Sequence, residues 1–318
     1  MEDQHDVRDV PETYGLLTTR ELEITGFLND ATKCLTEIFF EEAIARAKEL
    51  DREQSSSPDR LLGPFQRPPI SPKDSFRSPG YDSTTGIVCW AFQPDDDYSA
   101  LPKLWLDRGA VLYRKTNVPQ TMMTADSDNN LGRTPNPANS RLTAGGSSGG
   151  EGALIGLRGC VWGMGTDIAG SIRIPSIADG IFGFRPSGSV VPYGGQKSPA
   201  KPGMPGSAPV AGPIATSIRA CEDFKKTIME AQPWKYDPTC LHLNWNSYDA
   251  IRILGIGDVT DDGEYAVVPC EKNDERDRGK AAEGWRGNLS LASSSCIFLV
   301  LEKQLRQHSG SMRWMAAG

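Results

Sequence analysis

The sequence predicts an α/β fold, and three observations carry that prediction. Between Ser99 and Gly109 the residues Leu101, Leu104, Trp105 and Arg108 recur at helical spacing and lead directly into Ala110–Tyr113, which reads as a strand. A second pair follows a glycine-rich turn: Gly149-Gly150-Glu151 opens a helix through Leu157, and Cys160–Met164 reads as a buried strand. Upstream, Asn29–Glu53 sets Leu35, Phe39, Ala43, Ala47 and Leu50 on one face, the pattern of an amphipathic packing helix. Helices interleaved with strands are the mark of the α/β class.

The remaining elements follow in chain order. Residues 1–17 carry no periodic apolar pattern and are expected to fray. Thr18 and Glu21 have the spacing of a capping box, so a short helix is expected there. Ser55–Pro69 is rich in Ser, Pro and Gly and reads as a loop that delivers the chain to Ile70-Ser71-Pro72-Lys73-Asp74. Met122 and Met123 are expected in the core or lining a pocket rather than on a metal. Asn130–Arg141 is a Pro- and Asn-rich loop. After the second strand, Thr166–Ser171 is a turn and a helix starts at Ile172. Gly188–Gly212 reads as a long loop bordering a pocket, and Thr216–Ala231 as a helix with Ile218, Cys221, Phe224 and Ile228 on one face. Ile251–Gly257 is one more strand. Residues 264–318 hold a run of alternating charges, Glu271–Lys280, and read as a divergent, poorly ordered tail.

Composition narrows the function classes. At 318 residues and 38% hydrophobic content the chain buries a full core, as one large domain or two ordinary ones. A net charge of −7 argues against a nucleic-acid surface. The acidic, polar start does not read as a secretory signal, and the longest apolar run, Cys296–Leu301, is too short to cross a bilayer. The seven cysteines are scattered, with no Cys-x-x-Cys pair, which suits a reducing compartment and a cytoplasmic location.

Chemistry concentrates between Gly145 and Ser187. The chain reads Gly145-Gly146-Ser147-Ser148-Gly149-Gly150-Glu151-Gly152, then Gly165-Thr166-Asp167-Ile168-Ala169-Gly170-Ser171-Ile172-Arg173, then Gly183-Phe184-Arg185-Pro186-Ser187. A Gly-Ser linker would pass into further polar residues. This run passes into Ala153, Leu154 and Ile155, as a docked turn would. A phosphate loop needs Gly-Lys-Ser/Thr, and a dinucleotide fingerprint needs a third glycine three positions after the second. The corresponding positions here are Ile155 and Ile168. Only three histidines occur, His5, His242 and His308, none near a glycine-rich turn, so a nucleophilic serine here needs a base other than histidine.

At these residues the chain resembles the amidase signature family, serine hydrolases that cleave amide carbon–nitrogen bonds without a histidine. The resemblance implies that family's fold, a central mixed twisted sheet flanked by helices and here incomplete on its C-terminal side, with the signature domain over residues 18–263. It implies Ser171 as nucleophile, Ser147 as the bridging serine and Lys73, in Pro69-Ile70-Ser71-Pro72-Lys73-Asp74, as the base. Lys115 is the rival lysine, set aside on the family match, and Pro72 and Arg114 depart from the residues expected at their positions. The Gly146–Ser147 peptide is expected to be cis. A lysine is ordinarily solvated; acting as a base requires Lys73 buried and uncharged, from ~10.4 down to 7–8, at about 1.36 kcal/mol per unit.

With Ser171 at a helix N-terminus, the backbone amides of Ile168, Ala169, Gly170 and Ser171 are assigned to an oxyanion hole. Ala169 stands where many relatives have glycine, tolerable unless the position needs positive φ. Ser148 is a supporting hydrogen-bond donor, and Asp167 and Arg173 form an ion pair that shapes the turn. Gln232–Pro238 resembles fungal general amidases, which makes small aliphatic or aryl amides the expected substrates. No metal or cofactor is implied, and a homodimer stays open. Two other readings stand beside an active amidase: a catalytically impaired fragment with a binding role, and an amidotransferase-type subunit of a larger complex.

Overall fold

The computed structural model describes residues 31–56, 69–200 and 208–246. The readings at 1–17, Thr18/Glu21, 57–68, Ile251–Gly257 and 264–318 lie outside the described residues.

The first element departs from the sequence reading. Lys33 takes a left-handed backbone angle (φ 47°), and the chain then extends as β1 (Leu35–Ile38) before α1 (Phe40–Ser56) begins. Leu35 therefore lies on a strand rather than on the expected helix, while Ala43 and Leu50 on α1 are buried as expected. A four-residue apolar interval fits both an extended entry and a helix, so periodicity alone placed the boundary too early.

β2 (Pro69–Pro72) is a central strand. Its two prolines sit at the ends, where the missing N–H groups disturb the ladder least. It pairs in parallel with β3 (Val111–Leu112), which follows α2 (Ala100–Asp107). On its other side it pairs in parallel with β5 (Trp162–Asp167), in register Ser71↔Gly163 and Pro72↔Met164. β5 starts two residues later than the sequence suggests and runs further, so Thr166 and Asp167 lie on the strand and not in the turn. β4 (Arg114–Thr116) pairs antiparallel with β1 and is bridged to Lys73 through Thr116.

α3 (Gly149–Gly156) precedes β5, and α4 (Arg173–Ala178) follows it. β6 (Phe182–Gly183) and β7 (Val210–Ala215) complete a mixed sheet of order β3-β2-β5-β7-β6, with β7 antiparallel to both neighbours. β7 begins inside the stretch read as a loop. Its sequence, Val-Ala-Gly-Pro-Ile-Ala, is buried throughout and lacks the alternation that marks a half-exposed strand.

Helices cover both faces. Trp162 and Met164 point into one layer, where Trp105 of α2 and Phe224 of α5 (Ile218–Glu230) meet them. The rings of Trp105 and Trp162 lie 4.5 Å apart, and Phe224 stands edge-on to Trp162 at 5.2 Å. Burying each such ring stabilises the fold by on the order of 2–3 kcal/mol. Leu154 and Ile155 of α3, with Ile172 and Ile214, fill the opposite layer. Ser217 caps α5 by accepting from the Ala220 N–H at 3.1 Å, and Ile218, expected on the packing face, is 45% exposed in the first turn. Met123 is 75% exposed and belongs to no core. Among the described residues no helix is long and apolar enough to cross a membrane, and no three metal-ligating side chains cluster.

Candidate active site

β2 ends where the parallel strands open toward the glycine-rich turn, and the next residue is Lys73. Its backbone N–H continues the ladder to the Met164 carbonyl at 3.0 Å, which fixes the side chain between β5 and the turn before α3. The side chain is fully buried. Nζ lies 2.7 Å from Ser147 Oγ and 2.8 Å from Thr166 Oγ1. Burial pulls the amine from its ordinary 10.5 to about 7, against the opposing pull of the Asp167, Glu151 and Asp74 carboxylates. Lys115 is also buried, but its Nζ donates to Ser83 Oγ at 2.6 Å and to the Asp82 carbonyl. Arg114 is buried over the Tyr113 ring, its guanidinium carbon 3.9 Å from the centroid.

The Gly146–Ser147 peptide is cis. Only glycine fits at position 150, because a Cβ there would overlap the Asn117 backbone. This packing seats the turn against the strand end. Ser148 links the two serine segments: its N–H donates to the Ser171 carbonyl at 3.2 Å, and its hydroxyl exchanges 3.4 Å contacts with the backbone of Thr166. Ser171 is half-buried just before α4. Among the described residues, no hydrogen bond joins its hydroxyl to that of Ser147. The structure thus gathers Lys73, Ser147 and Thr166 by side chain, and Ser148 and Ser171 by backbone.

Asp167 shapes the turn. Its carboxylate accepts from the Gly170 N–H at 2.8 Å and the Ile172 N–H at 3.1 Å, and takes a two-point contact from Arg173 at 3.0 and 3.1 Å. Arg185 Nε adds a third cationic contact at 3.3 Å. Burial alone would raise this carboxyl, but Arg173 and the two amides hold it below the usual carboxylate value. The Gly170 N–H, one of four amides expected to face an oxyanion, is therefore directed at Asp167. Ile168, Ala169 and Ser171 keep amides that donate to no backbone or side-chain acceptor among the described residues. Gly170 takes φ 131°, while Ala169 is not among the positive-φ residues, so its methyl group is accommodated.

Sequence reasoning passed over Thr166, Glu151 and Arg185 as partners. Glu151 is fully buried on α3, and its carboxylate accepts from Ser71 Oγ at 2.7 Å and Thr116 Oγ1 at 2.8 Å. The signal was present: a single charged residue inside Gly-Gly-Glu-Gly-Ala-Leu-Ile-Gly has no polar face to share with other side chains.

A mixed sheet that delivers a buried lysine from one strand onto hydroxyls of a glycine-rich turn and a second strand defines a class, the amidase signature fold. A family model described as Amidase matches residues 18–276, and the chain belongs to that family. It is 41% identical to an amidase of Gibberella moniliformis over 95% of this chain and 62% of that protein. It is 40% identical to an acetamidase of Emericella nidulans over 74% of this chain and 44% of that one. Among solved structures it is similar to a fatty acid amide hydrolase (TM-score 0.68, 30% identity, covering 80% of this chain and 47% of that one). A bacterial aryl acylamidase of the amidase signature family is also similar (TM-score 0.65, 26% identity, 73% and 47%). The chain thus spans less than two thirds of the length of the curated relatives it matches.

Proposed function

We propose that the chain is built to hydrolyse a carboxylic acid amide to acid and amine or ammonia through Ser171, Ser147 and Lys73. The carrying observation is the 2.7 Å contact between Lys73 Nζ and Ser147 Oγ around an amine that burial inclines to be neutral. In its neutral form the amine accepts the Ser147 proton while still donating to Thr166. Ser147 takes the proton of Ser171, whose oxygen forms a bond to the amide carbonyl carbon. The amides of Ile168, Ala169 and Ser171 stabilise the oxyanion, each useful donor contributing about 2.7–4 kcal/mol. The relay then returns the proton to the nitrogen, the C–N bond breaks, and an acyl-enzyme remains. Water, deprotonated along the same route, releases the acid. The relay requires the Ser171 hydroxyl to reach Ser147 in the substrate complex, where catalytic hydrogen bonds commonly tighten.

Small aliphatic or aryl amides are the proposed substrates, in keeping with the similarity to an acetamidase and an aryl acylamidase. The five described cysteines are unpaired thiols, four of them buried, which supports a cytoplasmic setting. A serine-directed fluorophosphonate probe tests the nucleophile. Labelling of the wild-type chain and of Ser55→Ala, with loss in Ser171→Ala, is expected. Equal labelling of Ser171→Ala, or none of the wild type, overturns the assignment.

A further inference from the structure

Resting on the reading of Lys73 as base, we propose that Glu151 is a positioning residue for Lys73: its carboxyl ties the strand that leads into Lys73 to the helix that follows Ser147, and its charge bears on how readily the amine releases its proton. The geometry is specific. Ser71 lies two residues before Lys73 on β2, and Thr116 on β4 is the residue bridged to Lys73 itself. Glu151 accepts from both hydroxyls, one to each carboxylate oxygen, at 2.7 and 2.8 Å. Four residues earlier on the same turn and helix stands Ser147, the partner of Lys73 Nζ. The carboxyl therefore closes a loop of contacts that sets the separation of Lys73 and Ser147.

Position 163 is an independent observation. Gly163 faces Ser71 in register, and a Cβ there would overlap the Glu151 carboxylate, so the sheet is notched where this side chain lies. Charged and titratable groups meet here from every side. Lys73 is faced by Asp167 from β5, by Asp74 from its own segment and by Glu151 from α3. Glu151 is faced by Arg114 from β4 and by Lys73, and it lies near Cys34 and Cys160. Burial raises the carboxyl to about 8, partly offset by the hydroxyls of Ser71 and Thr116, so Glu151 and Lys73 titrate as a coupled pair.

Glu151→Gln keeps the volume and holds both hydroxyls while removing the charge. The test is an NMR titration of the intact chain with ε-13C lysine, the Lys73 signal being assigned by its absence in Lys73→Arg. The wild-type amine is expected to titrate in more than one step centred near 7. Glu151→Gln is expected to titrate in one step, shifted down by roughly a few tenths of a pH unit. Identical curves overturn the proposal. Ser71→Ala, which removes one tie, is expected to slow fluorophosphonate labelling about tenfold; unchanged labelling in a chain that does label overturns the tie. A shifted NMR midpoint in a chain that never labels means that the charge coupling holds and the nucleophile assignment fails.

Discussion

Replacing Lys73 by methionine separates the chemical role of the amine from its effect on stability. The side chain is fully buried, and burial takes the amine from 10.5 to about 7. Between those values the unfolded chain holds one proton more than the native chain. Native stability therefore rises with pH across the window, and this contribution is lost as pH falls through 7. The interval of roughly 3.5 pH units at about 1.36 kcal/mol each corresponds to on the order of 5 kcal/mol of native-state penalty at neutral pH. Methionine removes that penalty and also two hydrogen bonds, to Ser147 and Thr166, each loss costing about 1–3 kcal/mol. Lys73→Met is thus expected to match or exceed the wild type in stability at pH 7 and to fall below it by pH 10, while probe labelling drops about 10²–10⁴-fold. Urea unfolding followed by tryptophan fluorescence at pH 7, 8, 9 and 10 reads the difference. Asp179, raised to about 8, is present in both chains and cancels to first order, and repeating the pair of measurements in the Glu151→Gln background removes the carboxyl that Lys73 itself faces. A stability difference that stays constant from pH 7 to 10 refutes a buried, neutral amine.

Two further substitutions test the surroundings. Gly163→Ala drives a methyl group into the Glu151 carboxylate and is expected to destabilise by about 1–3 kcal/mol and slow labelling; an unchanged urea midpoint counts against the notch. Asp167→Asn leaves Arg173 and Arg185 without their shared anion and weakens the acceptor for the Gly170 and Ile172 amides. Both arginines are partly exposed, so the stability loss is expected to stay near 1–2 kcal/mol. Labelling should fall more than tenfold because the turn carrying Ser171 loosens; full labelling refutes that role.

The parts of the site that were legible in the sequence are those where composition is unusual. Glycines packed around Ser147 and Ser171 stand out because few other structures need such close backbone approach, and the helices at 100–107 and 218–230 announce themselves by periodicity. The strands were harder. β5 alternates Trp162 and Met164 with Gly163 and Gly165, so one face of its pattern is empty of side chains, and β7 hides behind glycine and proline. Leu35 fits a helical interval that Lys33 interrupts, and nothing in the spacing announces that reversal. Glu151 and Thr166 were missed for a different reason: a polar side chain reads as solvated until its partners, 80 positions upstream for Glu151 and 93 for Thr166, are known.

Those long intervals bear on how the chain comes to life. Lys73 contacts Ser147 across 74 positions and Thr166 across 93, through a strand that enters the middle of the sheet. Contacts of such separation form late, because a large loop must close first. On the ribosome Lys73 emerges well before either serine, as an ordinary hydrated cation. On the proposed reading it becomes a base only when β5 arrives beside it, so a half-made chain would have no reactive centre until the sheet is finished.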